Sequence, residues 1–247
     1  MQQATSDKVV PFRTSKLGKK EQIAQMFDGI AFRYDFLNHF LSLGIDKGWR
    51  RKALKYLQPD HPKSILDIAT GTADLAILEA RMLYPEKVIG VDISQGMLDL
   101  GVQKVRQVNL SDKITLQLAD SESLPFSDNS FDAVTSAFGV RNFENLEKGL
   151  SEMSRVLKPG GKAVILEFAS PTVFPVKQFF HLYFRYITPW IGKWVARSKE
   201  AYSYLPKSVK AFPQNETMVE ILKQNGFRQA SCRSLTLGIC AIYYAVK

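Results

Sequence analysis

The residues of this chain that could do chemistry gather where its apolar runs end. Asp67 sits inside the run from Ser64 to Ile68, Gly71 breaks that run, and Asp74 lies at the start of a helix-compatible stretch reaching Met82. Asp92 closes the next apolar run, Val88 to Val91, and Asp120 follows a third, Ile114 to Leu118. Carboxylates accept hydrogen bonds from hydroxyl and amino groups and attract positive charge. An acid about 20 residues past a glycine turn is placed to hold ribose hydroxyls. Each Asp, taken alone, could equally cap the helix after it. Three successive strands ending in this way favour one shared ligand.

Stepping from strand to tight turn to helix, the stretch Ser64 to Asp74 forms the crevice at the carboxyl end of a strand where open α/β sheets bind nucleotide-like ligands. A pyrophosphate site would want Gly-x-Gly-x-x-Gly, whereas here only the middle glycine of a Gly-x-Gly-x-Gly pattern is present, between Ala69 and Ala73. Acids without an accompanying Lys or Arg suit a ligand with ribose, adenine and positive charge. S-adenosylmethionine carries all three.

Bulk properties narrow the class. The 247 residues suffice for one large α/β domain with appendages, and 45% hydrophobic residues suit a packed globule. Two cysteines, Cys232 and Cys240, stand in apolar sequence and read as core thiols of a reducing compartment. No secretory signal or membrane-spanning run is apparent, which predicts a cytoplasmic protein or one peripheral to the inner face of the membrane. The net charge of +9 is unevenly spread: residues 1–63 carry 12 Lys/Arg against 6 Asp/Glu, residues 64–170 carry 10 against 15, and residues 171–247 carry 11 against 3. An acidic centre between basic ends is not a nucleic-acid binder's pattern. His39, His61 and His181 are scattered, so no metal site is expected.

In chain order, residues 1–16 are polar, basic and without period, and read as a disordered arm. Residues 17–63 form a helical N-terminal cover: one helix from Leu17 through Asn38, a break at 42–44, then Lys47 to Leu57 with Asp46 as its cap. Residues 64–170 form the ligand-binding core. Ser94 caps a helix from Gln95, Phe131 to Ser136 is a fourth strand, Leu146 to Leu157 an amphipathic helix, and Ala163 to Phe168 a strand buried on both faces. Residues 171–212 break the βα rhythm with aromatics (Phe174, Phe180, Trp190 and others) alternating with Lys177, Arg185, Lys193 and Arg197. Residues 213–247 supply a helix from Glu216 and two strands whose short break predicts a hairpin, with an antiparallel strand at the sheet edge.

The chain resembles the ubiquinone/menaquinone biosynthesis C-methyltransferases, the UbiE/MenG family, from about residue 17 onward. The blocks that carry the likeness are Met26-Phe27-Asp28, Arg33 to Asn38, Leu43 to Asp46 with Trp49-Arg50-Arg51, Leu66 to Asp74, and Ala137 to Asn142. Arg155 to Gly161 completes the pattern but is common to class I methyltransferases. The resemblance implies a class I SAM-dependent, Rossmann-like α/β fold with a seven-stranded sheet and a reversed terminal strand. Cofactor contacts are implied at Thr72, Asp92, Asp120 and Ser121, joining Asp67, Gly71 and Asp74 from the turn. A serine common before the Phe-Gly pair is Ala137 here.

The implied reaction is methylation of a polyprenyl quinol on ring carbon, demethylmenaquinol to menaquinol first among the acceptors. Ionising a phenol of Tyr-like pKa at pH 7 costs roughly 4 kcal/mol. A fixed guanidinium could offset part of that, which points to Arg141, with Asn142 orienting a hydroxyl or water; a salt-bridge anchor for the loop is the other role open to Arg141. For the proton, Asp35, Tyr202, His181 and a water stay open. Arg33, Tyr34 and Tyr202 are the expected substrate contacts. The aromatic and cationic segment would meet an anionic membrane surface or a second subunit. Methylation of another lipid-like or sterol acceptor, and a non-catalytic SAM-binding or quinone-carrier protein, are the competing functions.

Overall fold

The computed structural model describes residues 9–12, 14–42, 44–182 and 199–247, with the side chains of residues 33, 35–41, 179, 181 and 199–202 outside that description. Two helices come first, α1 (Lys19–Leu41) and α2 (Ile45–Leu54), and the alternating core follows: β1 (Ser64–Ile68), α3 (Asp74–Met82), β2 (Lys87–Asp92), α4 (Gln95–Gln107), β3 (Ile114–Leu118), β4 (Phe131–Ala137), α5 (Leu146–Val156) and β5 (Leu157–Phe168). After it come α6 (Val176–Leu182), α7 (Lys199–Ala211), α8 (Glu216–Gln224), β6 (Gln229–Leu235) and β7 (Cys240–Val246).

The seven strands lie in the order β3-β2-β1-β4-β5-β7-β6. β1 to β5 are parallel, and β7 runs antiparallel to both β5 and β6. The hairpin expected from the sequence is therefore present, but its reversed strand does not lie at the edge: β7 inserts between β5 and β6, and β6 takes the rim. The burial pattern explains the order. Both faces of Cys240–Tyr243 are buried, whereas β6 alternates in exposure, as an outer strand must.

Alternation along the strands sends successive side chains to opposite cores. Ile65, Ala133, Val164 and Leu166 pack under α2 and α3 with Leu54 and Ala76, while Leu66, Ile68, Val134 and Ile165 pack under α5 and α8 with Leu150, Met153 and Leu222. Asp67 and Thr135 share the parity of Ile65 and Ala133, so β1 and β4 carry them to the α2/α3 side.

Three further expectations change. Asp46 is not a cap: Gly44 holds that position at φ 74°, and Asp46 lies within the first turn, where it accepts the Ser42 hydroxyl at 2.7 Å and pairs with Arg50. The expected disordered arm is in part packed, since Pro11 is buried, Val9 and Phe12 lie against Ile23, Met26 and Tyr204, and Phe12 N donates to Gln22 Oε1 at 2.9 Å. β5 begins at Leu157 because residues 158–161 loop out between the Phe131/Leu157 and Ala133/Lys162 pairings. Residues 183–198 of the aromatic and cationic segment, including Arg185, Trp190, Lys193 and Arg197, lie outside the described residues.

Candidate functional site

The site begins with a turn that the chain winds tightly. After β1, Ala69, Gly71 and Ala73 all adopt left-handed backbone, at φ 56°, 56° and 65°. Such conformations cost an alanine roughly 1–2 kcal/mol, so the surroundings must impose them. Thr70 N donates to Val91 O at 3.0 Å, Thr70 Oγ1 donates to Asp67 Oδ2 at 2.6 Å, and Gly71 N donates to Asp92 Oδ2 at 2.8 Å. A second turn, after β4, comes against it: a Cβ on Gly139 would lie 2.4 Å from Ala69 Cβ, so only glycine permits that approach. Phe138 in this second turn is also left-handed, at φ 61°.

Between the turns, at the carboxyl ends of the parallel strands, opens a cleft of about 670 Å³ including space shared with solvent. Gly71, Asp92, Met97, Asp120, Ser121 and Asn142 line it, with Phe27, Tyr34, Phe138 and Phe143 supplying aromatic walls. Asp92, Asp120, Glu122 and Glu144 face Lys20 across it, so the lining is anionic on balance. Asp92 accepts Gly71 N on one oxygen and Ser94 N, at 2.9 Å, on the other. A carboxylate offers about four acceptor sites, which leaves capacity for a ligand hydroxyl. Burial pushes the Asp92 carboxyl above its ordinary range, against the opposing pull of the Ser94, Gly71 and Ile93 N–H groups.

α1 closes the cleft, held by Lys19 and Lys20, which the sequence did not single out, and by Asp28, which it did only through the family likeness. Lys20 Nζ lies 2.7 Å from Asp120 Oδ2 and 2.9 Å from Glu122 Oε2; burial alone would lower its pKa, yet these carboxylates raise it. Lys19 donates from Nζ to Phe143 O at 2.6 Å and from its backbone N to Glu144 Oε1 at 2.9 Å. Two turns on, Asp28 accepts Ser94 Oγ at 2.6 Å and Gly96 N at 2.9 Å, fixing α1 to the start of α4. Tyr34 meets Phe27 edge to face, with centroids 5.7 Å apart.

The predicted residues divide into those the cleft assembles and those that build its walls. Gly71, Asp92, Asp120, Ser121, Tyr34 and Asn142 line it. Thr72 and Asp74 instead meet Lys104 of α4, at 3.1 and 2.5 Å. Asp67 is 1% exposed and lies beneath the turn. Arg141 departs furthest from its expected place, for it is 6% exposed and absent from the lining. Its Nη1 lies 2.7 Å from Glu167 Oε1 and also donates to Phe138 O, while its backbone N reaches Glu167 Oε2 at 3.3 Å. The side chains of Arg33, Asp35 and Tyr202 lie outside the described residues. Glu167 was missed although it carried a signal, being an acid within the buried run from Ala163 to Phe168. Such a residue demands a buried cation or a proton. Glu79 carried the same signal more faintly, at an apolar-facing position of α3.

A family model described as the ubiE/COQ5 methyltransferase family matches residues 15–247. A demethylmenaquinone methyltransferase from Bacteroides fragilis is 53% identical over 242 residues, covering 98% of each chain. One of the same name from Porphyromonas gingivalis is 45% identical over 242 residues, with the same coverage of both. A ubiquinone/menaquinone biosynthesis C-methyltransferase UbiE from Geobacter sulfurreducens is 44% identical over 97% of this chain and 93% of its own. Among solved structures, a Haemonchus contortus phosphoethanolamine N-methyltransferase 2 in complex with S-adenosyl-L-methionine aligns with 96% of this chain and 61% of that one, at TM-score 0.65 and 20% identity. A SAM-dependent methyltransferase from Thermotoga maritima aligns with 91% of this chain and 99% of that one, at TM-score 0.64 and 17% identity. These structures share the fold.

Proposed function

The chain belongs to the ubiE/COQ5 methyltransferase family, and from that premise we propose that its acceptor is a polyprenylated demethylmenaquinol, methylated on ring carbon at a membrane surface. It is an S-adenosylmethionine-dependent quinone C-methyltransferase. The observation that carries the acceptor is the 53% identity, over 98% of both chains, to a demethylmenaquinone methyltransferase.

When bound, S-adenosylmethionine supplies a methyl group activated by the adjoining sulfonium. The residues fit such a ligand: Asp92 retains acceptor capacity for a ribose hydroxyl, Gly71 offers close backbone approach, Asp120 and Ser121 of the cleft wall would hold the base, and the anionic lining suits the positive charge. Thr72 and Asp74, through Lys104, hold the turn against α4.

A ring carbon attacks a methyl group only in the reduced quinol, and ionising the phenol makes it more nucleophilic. Asn142 Oδ1 is buried without a hydrogen-bond partner and belongs to a residue of the cleft wall. We assign it to the quinol O–H. Arg141 acts as a positioning residue rather than a group in contact with the acceptor: its pairing with Glu167 neutralises it, and its bond to Phe138 O braces the turn that presents Phe138 and Asn142. Tyr34 faces the acceptor ring from α1. Asp35, next along that helix, is the proposed proton acceptor, and Arg33 and Tyr202 the proposed further contacts.

The membrane reading rests on the substrate's tail, since each buried methylene contributes about 0.8 kcal/mol toward remaining in the bilayer. Among the described residues no helix is long and apolar enough to cross a membrane. Val173, Phe174, Leu182 and Leu237 are exposed. The turn bearing Leu237 packs beside Pro171, where a Cβ on Gly238 would meet Pro171 Cα at 3.3 Å. This apolar rim, with the cations of residues 171–197, is proposed to dock reversibly on anionic lipid at the inner face of the membrane.

The test is transfer of labelled methyl from S-adenosylmethionine to demethylmenaquinol in anionic vesicles, run beside the oxidised quinone. Methylation of the quinol alone is expected. Binding of S-adenosylmethionine without transfer to any reduced quinol would overturn the acceptor.

A further inference from the structure

Beneath the cofactor turn, on the side of the sheet that α2 and α3 cover, the chain buries two carboxyl groups with one hydroxyl between them. Asp67 of β1, Glu79 of α3 and Thr135 of β4 are each at most 1% exposed. Thr135 Oγ1 lies 2.6 Å from Glu79 Oε1 and 3.4 Å from Asp67 Oδ1, and Glu79 Oε2 has no hydrogen-bond partner. Asp67 Oδ2 is separately engaged by the Thr70 hydroxyl.

Counting protons decides how this cluster is charged. Thr135 has one proton to donate. With both acids ionised, two like charges would share it in a site closed to water, which burial makes prohibitive. One added proton satisfies the geometry: Glu79 donates through Oε1 to Thr135 Oγ1, freeing the Thr135 proton for Asp67 Oδ1 or for Leu66 O at 3.5 Å.

The surroundings select Glu79 as the holder. Asp67 receives Thr70 and lies in the field of Arg50 from α2, which pairs with Asp46; Asp92 of β2 opposes its charge weakly. Glu79 meets Thr135 and the negative field of Asp67. In keeping with this order, burial pushes the Asp67 carboxyl up to about 7 and the Glu79 carboxyl well above its ordinary range.

We infer that Glu79 is a positioning residue for the cofactor turn: it keeps the proton of the buried pair, so that Asp67 remains the anion that anchors Thr70 and holds residues 69–73 open for the ligand. This rests on the cleft being the S-adenosylmethionine site. The turn is thereby sensitive to a proton that never reaches the cleft.

Two measurements on the full chain test it. Infrared difference spectra of wild type, Glu79→Gln and Asp67→Asn report the protonated carboxyl directly. At pH above 7 its carbonyl band is expected in wild type and in Asp67→Asn and absent from Glu79→Gln. A band that survives Glu79→Gln, or none in wild type, overturns the proposal. Titration calorimetry with S-adenosylmethionine from pH 7.5 to 9.5, where Asp67 is ionised, reports the consequence. Wild-type affinity is expected to fall about tenfold or more toward the top of that range, whereas Glu79→Gln, whose amide can donate to Thr135 at any pH, stays flat and within about twofold of wild type at pH 7.5. Parallel profiles for the two would refute the coupling. If wild type binds no S-adenosylmethionine at any pH, the cofactor reading fails while the infrared result still judges the proton's location.

Discussion

Replacing Arg141 by Met, Glu167 by Leu, and both together separates a guanidinium that touches the acceptor from one that braces a turn. Arg141 and Glu167 are almost wholly buried and paired at 2.7 Å. Removing one partner of such a pair leaves an uncompensated charge, at a cost of about 3–5 kcal/mol. At about 2–4 °C per kcal/mol for a chain of this size, each single variant should unfold roughly 6–20 °C below wild type. The double variant keeps approximate volume and leaves no bare charge, so most of that stability should return, a coupling that the double-mutant cycle reads directly. Thermal unfolding gives the stability arm, and single-turnover methylation with saturating quinol gives the rate. If Arg141 only braces the turn, the double variant should recover rate along with stability, to within about tenfold of wild type. A double variant that melts like wild type but is slower by more than about a hundredfold would place the guanidinium on the acceptor and refute the positioning role.

Other outcomes follow from the same geometry. Asp92→Ala should cost roughly 1.5–3 kcal/mol of S-adenosylmethionine binding, one charge-assisted bond, measured by calorimetry on folded protein. Lys20→Met should release the 120–122 loop, seen as faster amide exchange there, at more than the about 1 kcal/mol of an exposed pair because Glu122 is buried. Below about pH 7 both carboxyls hold protons in the folded chain that they lose when unfolded, Asp67 from its ordinary 3.8 up to about 7, and above it Glu79 alone does, from 4.5 to still higher pH. Stability therefore falls as pH rises through that window, by about 1.4 kcal/mol per pH unit for each retained proton, and Glu79→Gln should flatten the upper part of the denaturation profile. Leu237→Asn places a residue tolerant of its left-handed backbone, φ 55°, on the exposed rim. Flotation with anionic vesicles should weaken while melting temperature holds; unchanged flotation would clear that turn of membrane contact, and a change to a smaller particle by light scattering would mark it as a subunit contact.

The strands, the order of the core and the cleft acids were legible because each left a local mark: an apolar run, a glycine break, an acid at a strand's end. Ser94 as a cap and the helix from Leu146 were equally plain, since capping and the 3.6-residue period act within a few positions. What stayed hidden was partnership across the fold. A salt-bridge role was open to Arg141 from the sequence, but its partner, Glu167, is identified only when β5 lies beside the turn. Lys19 and Lys20 carry no mark of their partners in the sequence, which are found only when α1 lies over the loops after β3 and β4. The place of β7 was likewise invisible, because a hairpin specifies which strands pair and not which of them meets the rest of the sheet.

That placement bears on how the chain is made. β5 is complete by residue 168, but its free edge pairs with residues 240–246, and β6 in turn joins the sheet through β7. During synthesis the parallel half of the sheet can collapse while one flank stays unpaired for some seventy residues more. An open strand edge recruits other chains as readily as its own. The growing polypeptide is thus most exposed to mispairing between the emergence of β5 and that of β7, and slow codons or chaperone binding in that interval should change yield more than the same delays placed before Ser64.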